Sequence, residues 1–364
     1  MTTLDASPAS TDRDATSGGP EAIVGRMVTI LNDGATCLLL GIGHELGLLD
    51  TLAALPPATS QQVADAAGLD ERYVREWLAG VVVAGFVHYD ANARTYSLDA
   101  DHAPFLAGQG PANLTRTIRL IALLAQAQPK VAEAFKDGGG LSYGDYPGFH
   151  EIRGEDTAAI TDAALIAAVL PLTGLTERLQ DGLQVADIGC GQGHAINLMA
   201  RAYPNSRFLG LDSSVEAIAT ARAEAADWRL DNARFEVCDV AVPVGEPASY
   251  DLITAFDVIH DQAHPATVLA NVREALKSDG TFLMVDIKSS SRLEENRTVP
   301  WAAFIYAIST FHCMPVSLGQ GGDGLGTAWG VQTAERMVRE AGFSDVVVHD
   351  LEPDPFNAYF VARP

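Results

Sequence analysis

The chain has 364 residues, 48% hydrophobic and 20% charged, and its 47 acidic against 24 basic side chains give a formal net charge of −23. This length suffices for about two domains whose cores need neither disulfides nor structural metals. No uninterrupted apolar run approaches the roughly 20 residues of a membrane helix, and the polar first residues do not resemble a signal peptide. We therefore expect a cytoplasmic protein without a membrane partner.

Cysteine and lysine are both sparse. The four cysteines lie far apart, without a CxxC pair, so neither a zinc site nor a disulfide framework is expected. The chain has only four lysines and no run of basic residues that could follow a phosphate backbone. Since its acidic field would repel nucleic acid, we expect no nucleic-acid partner.

The N-terminal part divides into a polar tail and a helical domain. Residues 1–20 have the composition of a solvated tail. In residues 21–110, apolar side chains first recur three and four positions apart, and the pattern then becomes too apolar for a free surface helix. This first helix should pack against a partner helix, in the same chain or in a second copy.

Residues 58–98 have the layout of a winged helix. Ser60 and Asp70 are predicted to cap two short helices, and a hairpin turns at Asp90. A DNA-binding winged helix would place its second helix in a major groove. Residues 21–110 contain 4 Arg, no Lys and 11 Asp or Glu, a balance of 4 − 11 = −7. This charge favours a scaffold or dimerisation domain over DNA binding.

Residues 111–182 are predicted to form a helical linker and substrate cap. An aromatic break around Tyr143 and Tyr146 interrupts the helical pattern. Such a loop could cover a ligand pocket, or it could simply join two helices.

From Leu183 onward, short apolar strands alternate with amphipathic helices, which predicts a doubly wound α/β fold. The last two of seven strands are separated only by EPDPF, too short for a crossover helix. The final strand should therefore run antiparallel beside its predecessor, completing a Rossmann-like sheet with one reversed strand.

The first strand of this sheet runs through a glycine-rich turn into a helix. Gly189, Gly191 and Gly193 allow the backbone to approach a ligand at the helix N-terminus. His194 stands where a dinucleotide-binding fingerprint requires its third glycine. The spacing thus favours a ligand without a pyrophosphate.

Carboxylates end three consecutive strands, at Asp187, Asp212 and Asp239. Asp212 is placed to accept both hydroxyls of a ribose, and Asp239 to accept a hydrogen bond from an adenine amino group. Each could alone be a helix cap, but three in register favour a nucleoside site.

The motifs ADIGCGQG, FLGLD, FEVCD, YDLITAFD and LKSDGTFLMVD resemble those of class I S-adenosylmethionine-dependent methyltransferases, over most of residues 183–364. With the N-terminal unit, VIHDQAHP and HCMPVSLGQGGDGLGTAWG, the chain resembles a bacterial two-domain subgroup whose first domain is winged-helix-like. Some members of that subgroup are labelled transcriptional regulators.

The resemblance implies a set of cofactor contacts along the carboxyl edge of the sheet. Asp187 and the glycine turn would hold the methionine end, Asp212 the ribose, Asp239 and Val240 the adenine, and Phe256 would lie near the sulfur. Ser213 is also expected to bind the cofactor.

A general base is needed only if the methyl acceptor arrives protonated. His260 resembles the histidine of the HD pair in small-molecule O-methyltransferases, and His312 could serve equally. In many relatives these positions instead line the pocket. Asp261 would orient His260 or cap the following helix.

Further residues are expected to bind the acceptor or, alternatively, to fill space between the domains. These are Tyr143, Tyr146, Asp261, Trp301, Phe304 and Cys313. The glycine-rich residues 319–326 would form a mobile loop over the pocket, or a linker.

Together these features predict a methyltransferase that uses S-adenosyl-L-methionine, without a metal, to methylate an oxygen or nitrogen of a small molecule. A homodimer through the N-terminal domain is expected. The alternatives are a cofactor-sensing regulator that binds DNA and a catalytically silent partner of another enzyme.

Overall fold

The structure is a computed structural model that describes residues 19–352 and 354–364. It contains two compact units. The described part of the first unit consists of residues 19–108 and 112–122, and the second consists of residues 109–111 together with the rest of the chain from 123. All but the last two residues of the predicted 1–20 tail lie outside the described residues.

The first unit begins with the long helix α1 (Pro20–Glu45), which has a proline in its first turn and is followed by α2 (Leu48–Ala54). Most of α1 is exposed despite its apolar sequence, and its buried residues are confined to its C-terminal end. Ile23, Val24, Met27, Val28, Ile30, Leu31, Leu38 and Ile42 are its exposed large apolar side chains.

The winged-helix layout is present in the first unit. Its elements are α3 (Ser60–Ala67), α4 (Glu71–Val83), β1 (His88–Asp90), β2 (Thr95–Ser97) and α5 (Ala103–Leu106).

The caps of α3 and α4 correct one prediction and support another. The cap of α3 is Thr59, not Ser60, because Thr59 and Gln62 form a reciprocal capping box that moves the boundary by one residue. Asp70 caps α4 as predicted, accepting hydrogen bonds from the backbone N–H groups of Arg72 and Tyr73. The indole of Trp77 on α4 donates to the Leu39 carbonyl at 2.8 Å, which fixes α4 against α1.

The helical region between the winged helix and the sheet is interrupted by short irregular turns. It contains α6 (Thr115–Asp137), a 3₁₀ turn (Tyr143–Asp145), α7 (Phe149–Ala164), a π-helical turn (Leu165–Val169), a second 3₁₀ turn (Leu170–Thr173) and α8 (Thr176–Asp181).

The rest of the second unit alternates strands and helices as predicted. In chain order these are β3 (Gln184–Ile188), α9 (His194–Ala202), β4 (Arg207–Asp212), α10 (Val215–Asp227), β5 (Ala233–Val237), β6 (Tyr250–Phe256), a 3₁₀ turn (Ile259–Asp261), α11 (Pro265–Ala275), β7 (Leu276–Ile287), α12 (Leu293–Asn296), α13 (Ala302–Ile308), a π-helical turn (Ser309–Cys313), α14 (Met314–Gly319), α15 (Val331–Glu340), β8 (Asp345–Leu351) and β9 (Asp354–Arg363).

The seven strands of the second unit form one sheet in the order β5-β4-β3-β6-β7-β9-β8. β9 runs antiparallel to both β7 and β8, which confirms the reversed final strand. From β3 the chain crosses outward to β4 and β5, then returns to pair β6 with the other side of β3. Such a switch point opens a crevice at the carboxyl ends of the central strands, where open α/β sheets bind ligands.

Helices cover both faces of the sheet. One face packs against α9 and α10 through residues that include Ile196, Phe208 and Ile218. The other packs against α11 and α15 through residues that include Ile253, Val272 and Val338. Burial on both faces explains why the parallel strands are almost continuously apolar.

Three helical stretches are long and apolar enough to cross a membrane, judged by length and composition alone. They are Pro20–Glu45, Phe149–Thr173 and Ala302–Gly319. None of them is an uninterrupted apolar run, because small and polar residues interrupt each one. In each of the last two, 44% of the most apolar 18 residues are buried within the protein, whereas in the first only 6% are.

Candidate functional site

The glycine turn after β3 packs tightly on its flanks and is open at its centre. Gly189 and Gly193 have φ values of 64° and 74°, and a Cβ atom on Gly189 would lie 2.5 Å from a methyl group of Val258. A Cβ on Gly193 would lie equally close to the side chain of Ala221, whereas one on Gly191 would meet nothing within 4 Å. The turn is therefore held in place while its middle can receive a ligand at the start of α9.

Asp212 connects this turn to the end of β4. Its carboxylate accepts hydrogen bonds from the backbone N–H groups of Gly191 at 2.9 Å and Ser214 at 2.8 Å. An ionised carboxylate has about four lone-pair positions, so capacity remains for the hydroxyls of a ligand. Asp212 thus both shapes the turn and keeps acceptor sites available beside it.

Asp187 lies beneath the turn and is almost completely buried. Burial raises its pKa to about 7, a hydrogen bond from Thr254 Oγ1 at 2.7 Å opposes this rise, and the charge of Asp212 adds to it. A cationic ligand at the turn would favour the ionised form of Asp187.

The other predicted cofactor residues lie along the same edge. Ser213 and Asp239 are exposed, and one Asp239 carboxylate oxygen accepts from the backbone N–H of Ala241 at 2.9 Å. Val240 is buried, and Phe256 is half-buried against the core on one face of the sheet. Their contacts with a cofactor stay a prediction.

His260 lies in the 3₁₀ turn that follows β6, and its partner is Asp286 at the end of β7. The two are joined by a 2.8 Å contact between Nδ1 and Oδ1. Burial alone would lower the pKa of His260, but the charge of Asp286 and this hydrogen bond raise it well above its ordinary value. Asp286 Oδ1 also accepts from Trp329 Nε1 at 3.1 Å and from the Ile287 backbone N–H at 2.8 Å.

This pairing corrects the role expected for Asp261. Asp261 accepts a hydrogen bond from the hydroxyl of Tyr143 at 2.6 Å, whereas Asp286 occupies the Nδ1 side of His260. Nor does Asp261 cap the next helix, whose N-cap residue is His264. Sequence reasoning missed Asp286, although it ends a buried strand just as the predicted carboxylates do.

His312 lies in the π-helical turn before α14 and is fully buried among aromatic rings. Its ring stacks on Phe149 with centroids 3.8 Å apart, and it contacts Tyr143 and Tyr146 edge-on. Burial and the nearby charges of His260, Arg153 and His150 lower its pKa to about 3, so it is neutral at physiological pH. Its Nε2 has no hydrogen-bond partner among the described residues.

Four of the expected acceptor residues lie near the two histidines, and Trp301 and Phe304 lie elsewhere in the second unit. Tyr143, Tyr146, Asp261 and Cys313 all lie around His312 or His260.

Tyr146 in this group has a structural contact, because its hydroxyl donates to the Phe311 carbonyl at 2.6 Å. Trp301 instead packs against Phe356, with centroids 4.6 Å apart. Phe304 is half-buried on α13, and no ring contact joins it to His312 within the described residues.

An ion pair that sequence reasoning missed lies beside this cluster. Arg153 on α7 donates to Asp257 Oδ2 at 2.9 Å, directly after β6. Asp257 has a φ of 56°, a left-handed conformation that is uncommon outside glycine. Burial raises its pKa to about 6, against the opposing charge of Arg153. The signal available was again a carboxylate at a strand end.

The glycine-rich segment that follows α14 is bonded to the backbone around His260. The Gly326 N–H donates to the His260 carbonyl at 3.0 Å, and the Asp323 N–H to the Ala263 carbonyl at 2.9 Å. A Cβ on Gly322 would lie 2.3 Å from the Ala263 Cα, so this approach requires glycine. The segment expected to be a mobile loop thus forms part of the wall behind His260.

The glycine turn lies beside the turn that carries His260, because the side chain of Val258 packs against Gly189. The charge of Asp212 also acts on Tyr143 and Asp261 of the histidine cluster. The open centre of the turn and the free acceptor positions of Asp212 fit the ribose and methionine portions of S-adenosylmethionine. In the described residues no group of three or more His, Cys, Asp or Glu could hold a metal ion.

Comparison with known proteins agrees with this geometry. The Rv2258c-like winged HTH domain family matches residues 34–108, and a methyltransferase domain family matches residues 179–346. Trans-aconitate 2-methyltransferase of Methylobacterium nodulans is 36% identical over 112 residues, covering 31% of this chain and 40% of that protein. The chain spans less than half the length of this curated relative.

Solved structures share the whole architecture. Human N-acetylserotonin methyltransferase in complex with SAM has a TM-score of 0.69 at 17% identity, covering 96% of this chain and 99% of that one. PigF with SAH has a TM-score of 0.69 at 20% identity, with 95% and 100% coverage. The chain therefore contains a methyltransferase domain, matched over residues 179–346, and a winged helix-turn-helix domain before it, matched over residues 34–108.

Proposed function

We propose that the protein transfers a methyl group from S-adenosylmethionine to an oxygen or nitrogen of a small molecule. The observation that carries this proposal is the open glycine turn beside Asp187 and Asp212, together with two buried histidines, His260 paired with Asp286 and His312 with a ring nitrogen that has no partner among the described residues. When bound, the cofactor supplies an electrophilic methyl group on a sulfonium sulfur. The residues of the chain have to bind the acceptor, orient it and take up its proton.

We assign the proton acceptor to His260. Asp286 stabilises the protonated ring and holds Nδ1, so Nε2 is the nitrogen that exchanges a proton. Because the pKa of His260 is raised, activity should increase with pH as His260 loses its resting proton. If neutral His312 were the base, activity would be flat above pH 6.5.

Calorimetry with S-adenosylhomocysteine tests the cofactor site directly. Wild type should bind, and Asp212→Ala should weaken binding by about tenfold or more, since it removes the ribose acceptor and loosens the turn. Asp345→Ala is the matched control, because this carboxylate pairs with Arg363 on β8 and β9. Absence of binding to wild type, or equal binding by the Asp212 variant, would contradict the proposal.

The winged-helix unit is better suited to scaffolding than to DNA binding. Both arginines near the start of α4 face glutamates on the same helix, Arg72 with Glu76 at 2.5 Å and Arg75 with Glu71 at 3.6 Å. These pairs reduce the positive charge that could meet phosphates. A gel shift at low salt with random-sequence DNA should therefore show no complex.

We propose that α1 forms a homodimer interface. Its exposed large apolar side chains extend from Ile23 to Ile42, over about five helical turns, and soluble monomers rarely leave so many apolar side chains together in water. Sedimentation should show a dimer for wild type and a monomer for Leu31→Glu, with Val83→Glu as a control at an exposed apolar site on α4. A monomeric wild type that binds lipid vesicles would point to a membrane instead.

A further inference from the structure

The turn after β6 carries charged groups that the proposed methyl transfer does not use. Asp257 follows Phe256 directly, and the side chain of its other neighbour, Val258, packs against the glycine turn. Arg153 binds one oxygen of Asp257 and also faces Asp156 at 3.7 Å. Asp257 therefore lies at the boundary between the cofactor turn and the histidine cluster.

The charges around Asp257 are unequal. Asp286 and Asp354 act on it as like charges, whereas the cations that act on it are Arg153 and His260. His260 is paired with Asp286. Asp354 receives hydrogen bonds only from neutral groups in the described chain, at Asn357 Nδ2, the Tyr359 hydroxyl and the Phe356 N–H. Asp257 itself and Asp354 are thus left against the guanidinium of Arg153.

Some buried acceptors on and around Asp257 receive no hydrogen bond from the described residues. Three buried oxygens have no hydrogen-bond partner among the described residues: Asp257 Oδ1, Asp286 Oδ2 and Asn357 Oδ1. Asp286 and Asn357 are 1% and 7% exposed, so water does not satisfy them from outside. All three atoms are acceptors. A buried acceptor without a donor costs about 1 to 3 kcal/mol, which a ligand carrying donors would recover.

We propose that the acceptor of this methyltransferase carries a protonated amine, and that Asp257 is the specificity-determining residue that binds it. The proposal rests on the proposed function. An ammonium group supplies three donors, no acceptor and one positive charge, which is what the described surroundings of Asp257 lack. A carboxylate would instead meet an excess of like charge, because the guanidinium of Arg153 is already engaged by two carboxylates.

Three catechols of similar size test the effect of ligand charge on binding separately from the effect of ligand shape. Dopamine carries a cationic arm, 4-ethylcatechol a neutral one and 3,4-dihydroxyphenylacetate an anionic one. Calorimetry on protein saturated with S-adenosylhomocysteine should show dopamine binding about tenfold or more tightly than the acid, with ethylcatechol between them. Trans-aconitate serves as a second anionic probe and should not bind.

Asp257→Asn keeps the shape of the side chain and removes its charge. It should reduce the preference for dopamine to within about threefold, while Asp345→Asn, the same change at another ion pair, should leave it intact. Melting curves and S-adenosylhomocysteine affinity check that both variants fold.

Several results would overturn the proposal. Equal affinities for the three catechols, tighter binding of an anion, or an unchanged preference in Asp257→Asn would each do so, and the first two need only the wild type. Binding of S-adenosylhomocysteine without binding of any catechol would contradict the amine preference alone. Failure to bind S-adenosylhomocysteine would contradict the proposed function itself.

Discussion

The cofactor half and the acceptor half of the site are built in different ways. The cofactor half consists of Asp187, the glycine turn and Asp212, which lie on adjacent strands β3 and β4 and interact largely through the backbone. The acceptor half brings together side chains from α7, the β6 turn, β7 and the π-helical turn. A nucleoside site can thus be made from one stretch of chain, whereas an acceptor site depends on how distant segments meet.

The two halves also differ in how their polar groups are satisfied. Asp187 and Asp212 have hydrogen-bond partners in the chain. In the acceptor half, Asp257, Asp286 and His312 each keep a buried polar atom without a hydrogen-bond partner among the described residues. Such atoms lower stability by about 1 to 3 kcal/mol each and are retained where a ligand supplies the partner. The acceptor half is therefore the part in which stability is given up for binding.

The largest effect is expected from Asp286→Asn in the acceptor half. Loss of the charge that stabilises protonated His260 should reduce the rate of S-adenosylhomocysteine formation with dopamine by about 100-fold. The variant should also lower the pKa of His260, so the rise of activity with pH moves to lower pH. Rates between pH 5 and 10 measure both changes.

Asp350→Asn is the control for this experiment, since Asp350 forms an exposed ion pair with Lys288. A wild-type rate in Asp286→Asn would remove His260 from the proposed role.

In the cofactor half, Gly189→Ala should weaken S-adenosylhomocysteine binding by about tenfold or more. The new Cβ would overlap Val258, and the alanine would be held at a positive φ, which disfavours any residue with a Cβ, so the turn must shift. Gly47→Ala is the control, because Gly47 has a similar φ of 66° but nothing within 4 Å of a new Cβ. Calorimetry measures the affinity of both variants for S-adenosylhomocysteine. Equal affinities would show that the glycine turn is not part of the cofactor site.

Asp187→Asn should change how stability depends on pH. The pKa of Asp187 is about 7 in the folded protein and 3.8 in an unfolded chain. Between pH 3.8 and pH 7 the folded state therefore keeps a proton that the unfolded state releases. The stabilisation is full below pH 3.8 and is lost as pH rises to 7. The asparagine variant should therefore be more stable than wild type at pH 8, by up to about 4 kcal/mol, and equal near pH 4.

Urea denaturation of the ligand-free protein at both pH values measures this difference. A variant less stable than wild type at pH 8 would show that the fold stabilises the ionised form of Asp187, and hence that its pKa is not raised.

The smallest effect is expected from Tyr146→Phe. It removes one hydrogen bond to the Phe311 carbonyl and should lower the free energy of unfolding by about 1 kcal/mol, without changing the KM for dopamine. Tyr143→Phe is the comparison, since it releases Asp261 beside the glycine turn and should alter KM. A changed KM for dopamine in Tyr146→Phe would indicate that Tyr146 does contact the methyl acceptor.

The strands and the carboxylates that end them could be predicted from sequence, because buried parallel strands are apolar throughout and stop at polar residues. The partner of His260 could not. Whether Asp261 or Asp286 reaches it depends on the pairing of β6 with β7, in which Phe256 lies beside Val285. The pairing of Arg153 with Asp257 could not be predicted either, since a helical pattern does not show which residue faces a strand end.

The π-helical turn Ser309–Cys313 has a consequence for how the proposed acceptor site can change in evolution. A π turn is an α-helix that contains one extra residue. Deleting a single residue there, such as Thr310, would remove this extra residue and leave the helix on either side in place. The direction of His312, which lies inside the turn, depends on the extra residue, so one codon lost or gained there can change the aromatic cluster while the sheet stays unchanged.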